Sequence, residues 1–397
     1  MKRLMILGAS ILQLPAIKKA KAMGLDVIVV DMNPNAVGFK EKDITKLIIS
    51  TTNTEEVLKA AKDYNINGIM TLASDVPMPT VAAVCEQLGL PGISPQTALN
   101  ATNKAEMRKC FKMHGAPIPE FYIARSCDEF IAAARNFTTT FVTKPADNSG
   151  NRGVQLIEAT TDKETLRQAF EYSHQYSRDG RVLLEEYMDG DEFSVETISI
   201  NGECHIIQIT DKLTSGAPYF VELGHTQPSC YDETSKALIV NAAIAGVKAL
   251  GIENGPSHTE IKFTSNGPKI VEIGARLGGD CITTHLVPLS TGVDMVEACI
   301  RIALDEIPDL THKFNKGAAI RFLHPTPGVL CGIKNVEQVR NLPGIMEVGF
   351  MKEVGDTIPV MRNGLDRVGY VIAQKETRED AVKICEQAAA MIDFDIE

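Results

Sequence analysis

Short apolar segments alternate with amphipathic segments through the first hundred residues. Residues 3–8, 26–31, 46–50 and 68–72 are rich in Val, Ile, Leu and Met, and each is short enough to form one strand. Between them lie stretches with helical periodicity, such as 53–64. This alternation predicts a parallel sheet with helices on its faces.

Capping residues indicate where several helices begin and end. Asn53, followed three residues later by Glu56, predicts a helix start, and Gly24 and Gly89 lie where two other helices should end. Asn103 predicts another start, which places Lys104 in the first turn of that helix. A cation there opposes the helix dipole, so an anion bound by Lys104 would explain its position.

The composition is that of an ordinary folded protein, with 44% hydrophobic and 23% charged residues in a chain of 397. That length predicts two to four packed domains. The 40 basic and 51 acidic residues give a net charge of -11 without a long run of either sign, which argues against nonspecific nucleic-acid binding. No apolar stretch approaches the roughly 20 residues that cross a bilayer, so we expect no membrane span.

Nine cysteines occur without a C-x-x-C pair or a metal-like cluster. The pattern favours reduced thiols in a cytoplasmic protein, and we assign no cysteine to catalysis.

A nicotinamide-binding domain is one alternative for the first segment. Asp31 ends the second predicted strand, where a dinucleotide-binding protein carries its ribose-binding acid. The first turn, however, runs from Gly8 to Gln13 and lacks two of the three glycines of the dinucleotide motif. A solvated residue at a strand end is the simpler interpretation of Asp31.

A glycine-containing loop at 147–153 lies between an apolar segment at 141–146 and a second one at 154–157. Small residues let backbone N–H groups approach phosphate oxygens, and Lys144 supplies a positive charge just before the loop. No helix follows the loop, so it is not a Walker A motif. A hairpin turn without a ligand is the alternative.

Glu260 and Glu272 are predicted on two successive strands that are joined by a short turn. An antiparallel pair can place such residues opposite each other, and two facing carboxylates with phosphates nearby suit Mg²⁺. Exposed sheet acids without a ligand remain the other interpretation.

Four segments together resemble the ATP-grasp superfamily, and most of all its L-amino-acid ligase or carboxylate–amine ligase branch. They are TKPADNSGNRGV (143–154), EEYMDGDEFSVE (185–196), HTEIKF (258–263) and VEIGARLGGD (271–280). The resemblance implies an α/β and α+β fold. It places a Rossmann-like pre-ATP-grasp domain at 1–97, a small lid subdomain at 98–184, a large subdomain at 185–310 and a small C-terminal α/β domain at 311–397.

The resemblance also implies ATP and Mg²⁺, or Mn²⁺, as cofactors and suggests a role for each matching residue. The residues expected to bind ATP are Lys104, Lys144, Ser149, Gly150, Gly153, Glu185, Glu186, Tyr187, Met188 and Glu192. Glu260 and Glu272 are expected to bind the metal, and Arg276, Lys212 and His225 to contact the substrate or reacting groups. For Lys212 and His225, a surface lysine and a structural histidine are the alternatives.

One position departs from the superfamily pattern. The residue two after the second metal acid is often Asn, whereas this chain has Gly274, which supplies no side-chain ligand. Water or substrate would then complete the shell of the second metal, or the metal pair would be bound more loosely than usual.

The function implied by the resemblance is ADP-forming activation of a carboxylate as an acyl phosphate, followed by its coupling to an amine such as an amino acid. The alternatives are a purine-pathway-type carboxylase or formate-using transferase, and a degenerate nucleotide-binding module without catalysis. Small carboxylates and amines are the expected partners, with a homodimer as a possible assembly.

Overall fold

The computed structural model describes residues 1–148 and 152–397. The N-terminal part is a parallel sheet with the strand order β3-β2-β1-β4, as the alternating pattern predicts. Its elements are β1 (Arg3–Leu7), α1 (Leu14–Ala22), β2 (Asp26–Val30), β3 (Thr45–Leu47), α2 (Thr54–Asp63), β4 (Gly68–Met70) and α3 (Met78–Leu88).

The predicted capping residues are confirmed in this part and in the helix that follows it. The side-chain oxygen of Asn53 accepts a hydrogen bond from the backbone N–H of Glu56 at 3.3 Å. Asn103 accepts hydrogen bonds from two backbone N–H groups in the first turn of its helix. Gly89 adopts the left-handed conformation that ends α3, with φ of +63°.

The predicted lid segment folds around an antiparallel sheet with the order β5-β8-β6-β7. Its core combines aliphatic side chains with several phenylalanines, including Phe130, Phe141 and Phe170, and is separate from the other buried clusters. The elements from residue 95 to 186 are α4 (Pro95–Thr102), α5 (Lys104–His114), β5 (Phe121–Ala124), α6 (Cys127–Ala134), β6 (Phe141–Pro145), β7 (Gln155–Ile157), α7 (Lys163–His174) and β8 (Val182–Glu186).

A larger antiparallel sheet follows, with the order β13-β12-β9-β10-β11-β14-β18-β16. Its first part and the helices packed with it are β9 (Asp191–Ile200), β10 (Glu203–Thr214), β11 (Glu222–Gln227), α8 (Glu233–Leu250), β12 (Gly255–Thr264), β13 (Gly267–Gly274), α9 (Val287–Thr291) and α10 (Met295–Ala303).

The C-terminal part continues this large sheet. Strand β14 pairs with β11 along the register from Gly224–Arg321 to Gln227–Ala318, and β18 and β16 follow beyond β14. The elements are β14 (Gly317–Leu323), β15 (Gly328–Lys334), α11 (Val336–Arg340), β16 (Ile345–Phe350), β17 (Thr357–Ile358), β18 (Gly369–Lys375), α12 (Arg378–Met391) and β19 (Asp393–Ile396). Strands β17, β15 and β19 form a small separate sheet.

The N-terminal part and the large sheet share their hydrophobic core. One buried cluster contains Leu4 and Leu72 from the first part together with Leu277, Ile300 and Ile372 from the second. Burial of this shared apolar surface holds the loops after β4 and after β13 in fixed positions. Within the described ranges, no helix has both the length and the apolar character needed to cross a bilayer.

Candidate active site

A cleft with an empty volume of about 980 Å³, including solvent at its mouth, lies between the lid sheet and the large sheet. Its size is that of a small-molecule site. Nine of the residues predicted to bind ATP or metal line this cleft: Lys104, Lys144, Glu185, Glu186, Tyr187, Met188, Glu192, Glu260 and Glu272.

Lys144 is held in the cleft by a buried acid. Its Nζ lies 2.6 Å from Oε2 of Glu185, and Glu185 also receives Nε of Arg108 on Oε1 at 2.7 Å. Burial raises the pKa of Glu185, but the two cations outweigh it and lower that pKa to about 2. Burial lowers the pKa of Lys144, the Glu185 carboxylate opposes this, and Arg108 adds to the lowering. Lys144 therefore has a fixed position above the cleft.

Arg108 is a site residue that the sequence analysis missed. Its side chain is 1% exposed, and its Nη2 also donates to the carbonyl oxygen of Val271, which precedes Glu272. The sequence does indicate that Arg108 is buried, because it lies in α5 three residues from buried Ala105 and three from buried Phe111. A charged residue within an apolar stripe needs a buried partner, and Glu185 is that partner.

The two predicted metal acids lie opposite each other, as expected from their strands. Glu260 on β12 is the register partner of Glu272 on β13. Nζ of Lys104 lies 2.8 Å from Oε2 of Glu272 and donates to the carbonyl oxygen of Asn148 at 3.0 Å. Although burial lowers the pKa of Lys104, the Glu272 carboxylate raises it above its usual value.

Lys212 is a buried cation among three carboxylates, so the surface interpretation of this residue does not hold. Its side chain is 3% exposed, and its Nζ lies 2.5 Å from Glu192, 3.2 Å from Glu260 and 3.7 Å from Glu222. Burial lowers the pKa of Lys212, but the carboxylates outweigh this and raise it well above the usual value. Lys212 thus neutralises the acids on one side of the cleft.

A buried acid–histidine pair supports Glu260 from the other side. Oε1 of Glu196, which is fully buried, lies 2.6 Å from Nδ1 of His258, and Nε2 of His258 lies 3.4 Å from Glu260. Burial lowers the pKa of His258, but Glu196 raises it to about 9. The side chain of Glu260 is therefore oriented by both Lys212 and His258.

Arg276 and His225 lie outside the lining of this cleft, in contact with residues that the sequence did not connect to them. Arg276 forms a two-pronged ion pair with Asp75 of the N-terminal part. His225 is 1% exposed, and its Nε2 lies 3.6 Å from Asp280, which is itself paired with Arg367. Burial raises the pKa of Asp280, but His225 and Arg367 lower it below the usual value.

The remaining predicted residues have different surroundings. Glu186 accepts hydrogen bonds from Nζ of Lys269 at 2.8 Å, so its carboxylate is already occupied. Gly153 has φ of +78°, and its carbonyl oxygen accepts a hydrogen bond from the Ser173 hydroxyl. Ser149 and Gly150, which we predicted in the phosphate loop, lie outside the described residues.

Family models match three parts of the chain, and they agree with this geometry. The ATP-grasp domain model matches residues 137–284, the ATP-grasp N-terminal domain model matches 17–92, and the L-amino acid ligase C-terminal domain 2 model matches 321–397. The chain belongs to the ATP-grasp superfamily. The predicted fold class is thereby confirmed.

The similar proteins include amino-acid ligases and a purine-pathway enzyme. Alanine–anticapsin ligase of Bacillus subtilis is 31% identical over 271 residues, which are 62% of this chain and 56% of that protein. The L-amino acid ligase from Bacillus licheniformis has a TM-score of 0.85 at 22% identity, with 100% of this chain and 99% of that chain covered. Phosphoribosylglycinamide synthetase from Anaerococcus prevotii has a TM-score of 0.80 at 23% identity, with both chains fully covered.

The donor set of this ATP-grasp cleft fits a magnesium ion. Carboxylate oxygens are the ligands that Mg²⁺ takes from proteins, with substrate phosphates and water completing its shell. Glu260 and Glu272 would hold it, and each now contacts a lysine that phosphate groups can also engage. Among the described residues, no group of three or more His, Cys, Asp or Glu is placed to hold a metal ion.

The nicotinamide alternative for the N-terminal part finds no support in the surroundings of Asp31. One of its carboxylate oxygens accepts the backbone N–H of Ala9 and the other accepts that of Asn33, each at 2.8 Å. The Gln13 side chain occupies the space beside Gly8, because a Cβ added there would lie 2.7 Å from it. Asp31 therefore shapes the first loops of the ATP-grasp N-terminal domain.

Proposed function

We propose that this chain is an ADP-forming ligase that activates a carboxylate as an acyl phosphate and couples it to an amine. The observation that carries the proposal is the single cleft that gathers Lys104, Lys144, Glu260 and Glu272. Two lysines and two facing acids in one cleft are the groups needed to hold and neutralise a triphosphate. The ATP-grasp family models support the same assignment.

In this proposal different residues of the cleft bind the adenine, the ribose and the phosphates of ATP. The backbone from Glu186 to Met188 borders the adenine, Glu192 lies within reach of the ribose hydroxyls, and Lys104 and Lys144 contact phosphate oxygens. Glu192 is already bonded to Lys212, which fixes its carboxylate. Catalysis then depends on positioning and charge neutralisation, since the reaction needs no protein nucleophile.

The first chemical step transfers the terminal phosphoryl group to the substrate carboxylate. A carboxylate oxygen forms a bond to the γ-phosphorus as the bond to the β–γ bridging oxygen breaks, and ADP leaves. Glu260 and Glu272 would hold Mg²⁺, which neutralises phosphate charge when bound. Lys104 and Lys144 remain beside the transferred group and stabilise its charge.

The second step joins the amine. The amine nitrogen attacks the acyl carbon, inorganic phosphate leaves, and the nitrogen loses a proton. Arg276 stabilises the negative charge on the acyl phosphate and on the oxyanion. The matches to alanine–anticapsin ligase and to the L-amino acid ligase C-terminal domain support amino acids as the substrate class.

A phosphate-release screen tests the proposal directly. Pairs of amino acids and small carboxylates are incubated with MgATP, nucleotides are separated by chromatography, and products are weighed by mass spectrometry. We expect ADP, phosphate and an amide in equal amounts, and only when both substrates are present. Stoichiometric AMP, or no amide with any pair, would contradict the proposal.

A purine-pathway-type reaction is the second candidate, favoured by the full-length likeness to phosphoribosylglycinamide synthetase. That likeness, at 23% identity, concerns the fold, so the reaction needs its own test. Bicarbonate and formate arms in the same screen separate the candidates. A degenerate module would bind ATP without releasing phosphate in any arm.

A further inference from the structure

Asp75 joins the N-terminal domain to Arg276, which lies four residues after Glu272. It lies in the loop between β4 and α3, and its two oxygens lie 3.0 Å from Nε and 3.1 Å from Nη2 of Arg276. The Arg276 side chain is only 13% exposed. Two parallel charge-assisted hydrogen bonds fix both the position and the plane of a guanidinium.

The pairing leaves one edge of the guanidinium available. Of the five N–H groups of Arg276, those on Nε and one on Nη2 go to Asp75, and one on Nη1 goes to the carbonyl oxygen of Leu277 at 3.3 Å. One N–H on each terminal nitrogen has no hydrogen-bond partner among the residues that the structure describes. That edge matches the spacing of two oxygens of a carboxylate or phosphate.

Gly274 makes room for this ion pair. A Cβ added at residue 274 would lie 2.9 Å from Cζ of Arg276 and 3.1 Å from Oδ1 of Asp75. Such distances are well inside van der Waals contact, so any side chain at 274 must displace one of the two partners. The space that a side chain at residue 274 would fill is thus occupied by the Asp75–Arg276 pair.

The loop that carries Asp75 has a strained turn. Ala73 has φ of +54°, a left-handed conformation that is unfavourable for a residue other than glycine. The same turn lies against the loop that follows β13, because a Cβ added at Gly279 would lie 3.7 Å from Cβ of Ala73. Strain that persists in a packed loop indicates that the surrounding contacts enforce the position of Asp75.

We propose that Asp75 is a positioning residue, which holds the Arg276 guanidinium so that its free edge faces the acyl phosphate, and that Gly274 is required for this arrangement. The inference rests on the proposed function. It gives the N-terminal domain a part in the chemical step without contact with ATP.

Steady-state kinetics of Asp75→Asn and Gly274→Ala test the proposal, with Asp63→Asn on the exposed face of α2 as the control. We expect a loss of at least tenfold in kcat for the first two variants, with KM for ATP within twofold of wild type, and no change in the control. In an Arg276→Lys background, Asp75→Asn should change kcat less than twofold, because its effect acts through the arginine. A wild-type kcat in Asp75→Asn, or losses that multiply in the double variant, would overturn the proposal.

A crystal structure of Asp75→Asn provides a test that does not depend on the substrates. We expect the Arg276 guanidinium to leave its wild-type position, whereas an unchanged guanidinium would overturn the positioning role. If wild-type protein forms no amide in any arm of the screen, the proposed function fails, and this structural result still decides whether Asp75 fixes the arginine.

Discussion

Arg108 and Glu185 form a buried two-pronged ion pair, with Nε 2.7 Å from Oε1 and Nη2 3.1 Å from Oε2. Glu185 also holds Lys144, so one carboxylate serves two cations. Removal of either partner leaves uncompensated charge in the protein interior, where such charge is costly.

We therefore expect Arg108→Met to lower the free energy of unfolding by about 3–5 kcal/mol, the range for breaking a buried pair. Urea denaturation followed by circular dichroism measures this. Arg167→Met on the exposed face of α7 is the control, since its contact with Glu164 is 3.6 Å long and solvent-exposed and should contribute within about 1 kcal/mol. Equal losses in the two variants would contradict a structural role for the buried pair.

The same pair gives the acid stability of the protein a defined pH window. The pKa of Glu185 falls from 4.5 to about 2 on folding, so its stabilisation, about 3 kcal/mol, is present above pH 4.5 and is lost as the pH falls towards 2. The stability difference between wild type and Glu185→Gln should narrow across this interval. Denaturation of both proteins at a series of pH values measures this difference. A difference that stays constant with pH would contradict the lowered pKa of Glu185.

Prediction from the sequence succeeded where short-range patterns determine structure. The helix that begins at Asn103, the hairpin that carries Glu260 and Glu272, and the cleft residues near Lys144 all follow from local periodicity or motifs. The pairings of Arg108 with Glu185 and of Asp75 with Arg276 span 77 and 201 residues. No local pattern specifies such pairings, because they depend on how separately formed elements pack.

Glu272→Gln should abolish turnover and keep the fold. The amide retains the shape of the carboxylate but not the charge with which Glu272 would hold Mg²⁺ in the proposed mechanism, an effect worth several kcal/mol of barrier. Nucleotide binding should persist through the proposed contacts with Lys104, Lys144 and the backbone from Glu186 to Met188. Phosphate release and calorimetric titration with ATP measure the two properties.

Glu253→Gln, at an exposed acid outside the cleft, is the matched control for this variant. It should turn over at the wild-type rate. Turnover of Glu272→Gln at a similar rate would rule out its role as a metal ligand.

Removal of the Lys212 ammonium group should make the thermal stability of the protein depend more strongly on magnesium. Lys212→Met leaves Glu192, Glu222 and Glu260 without their shared ammonium group, and we expect a loss of about 3–5 kcal/mol in stability. Mg²⁺ without nucleotide should then raise the melting temperature more in the variant than in wild type. Thermal-shift assays compare both with Lys59→Met, at an exposed lysine on α2, and an Mg²⁺ response no larger than that of wild type would count against the prediction.

Changes in ATP affinity should distinguish residues of the cleft from residues of the N-terminal domain. Lys144→Ala removes a proposed phosphate contact and should weaken ATP binding, whereas Asp31→Ala should leave ATP affinity nearly unchanged and lower only the stability of the protein. Asp31 holds two backbone N–H groups in the first loops, far along the chain from the cleft residues. Calorimetric titration tests both, and a large loss of affinity in Asp31→Ala would assign the N-terminal domain to the nucleotide.

Because β14 pairs with β11, the C-terminal strands cover what would otherwise be an exposed edge of the large sheet. A chain cut after residue 310 would keep the pairing of β11 with β10 but would leave unpaired the backbone N–H and C=O groups of β11 that face β14 along Gly224 to Gln227. His225 and its neighbours are buried there in the intact sheet. An uncovered edge of this kind is a template for strand addition from another molecule. We therefore expect residues 311–397 to protect the rest of the chain from aggregation, independently of any substrate they contact.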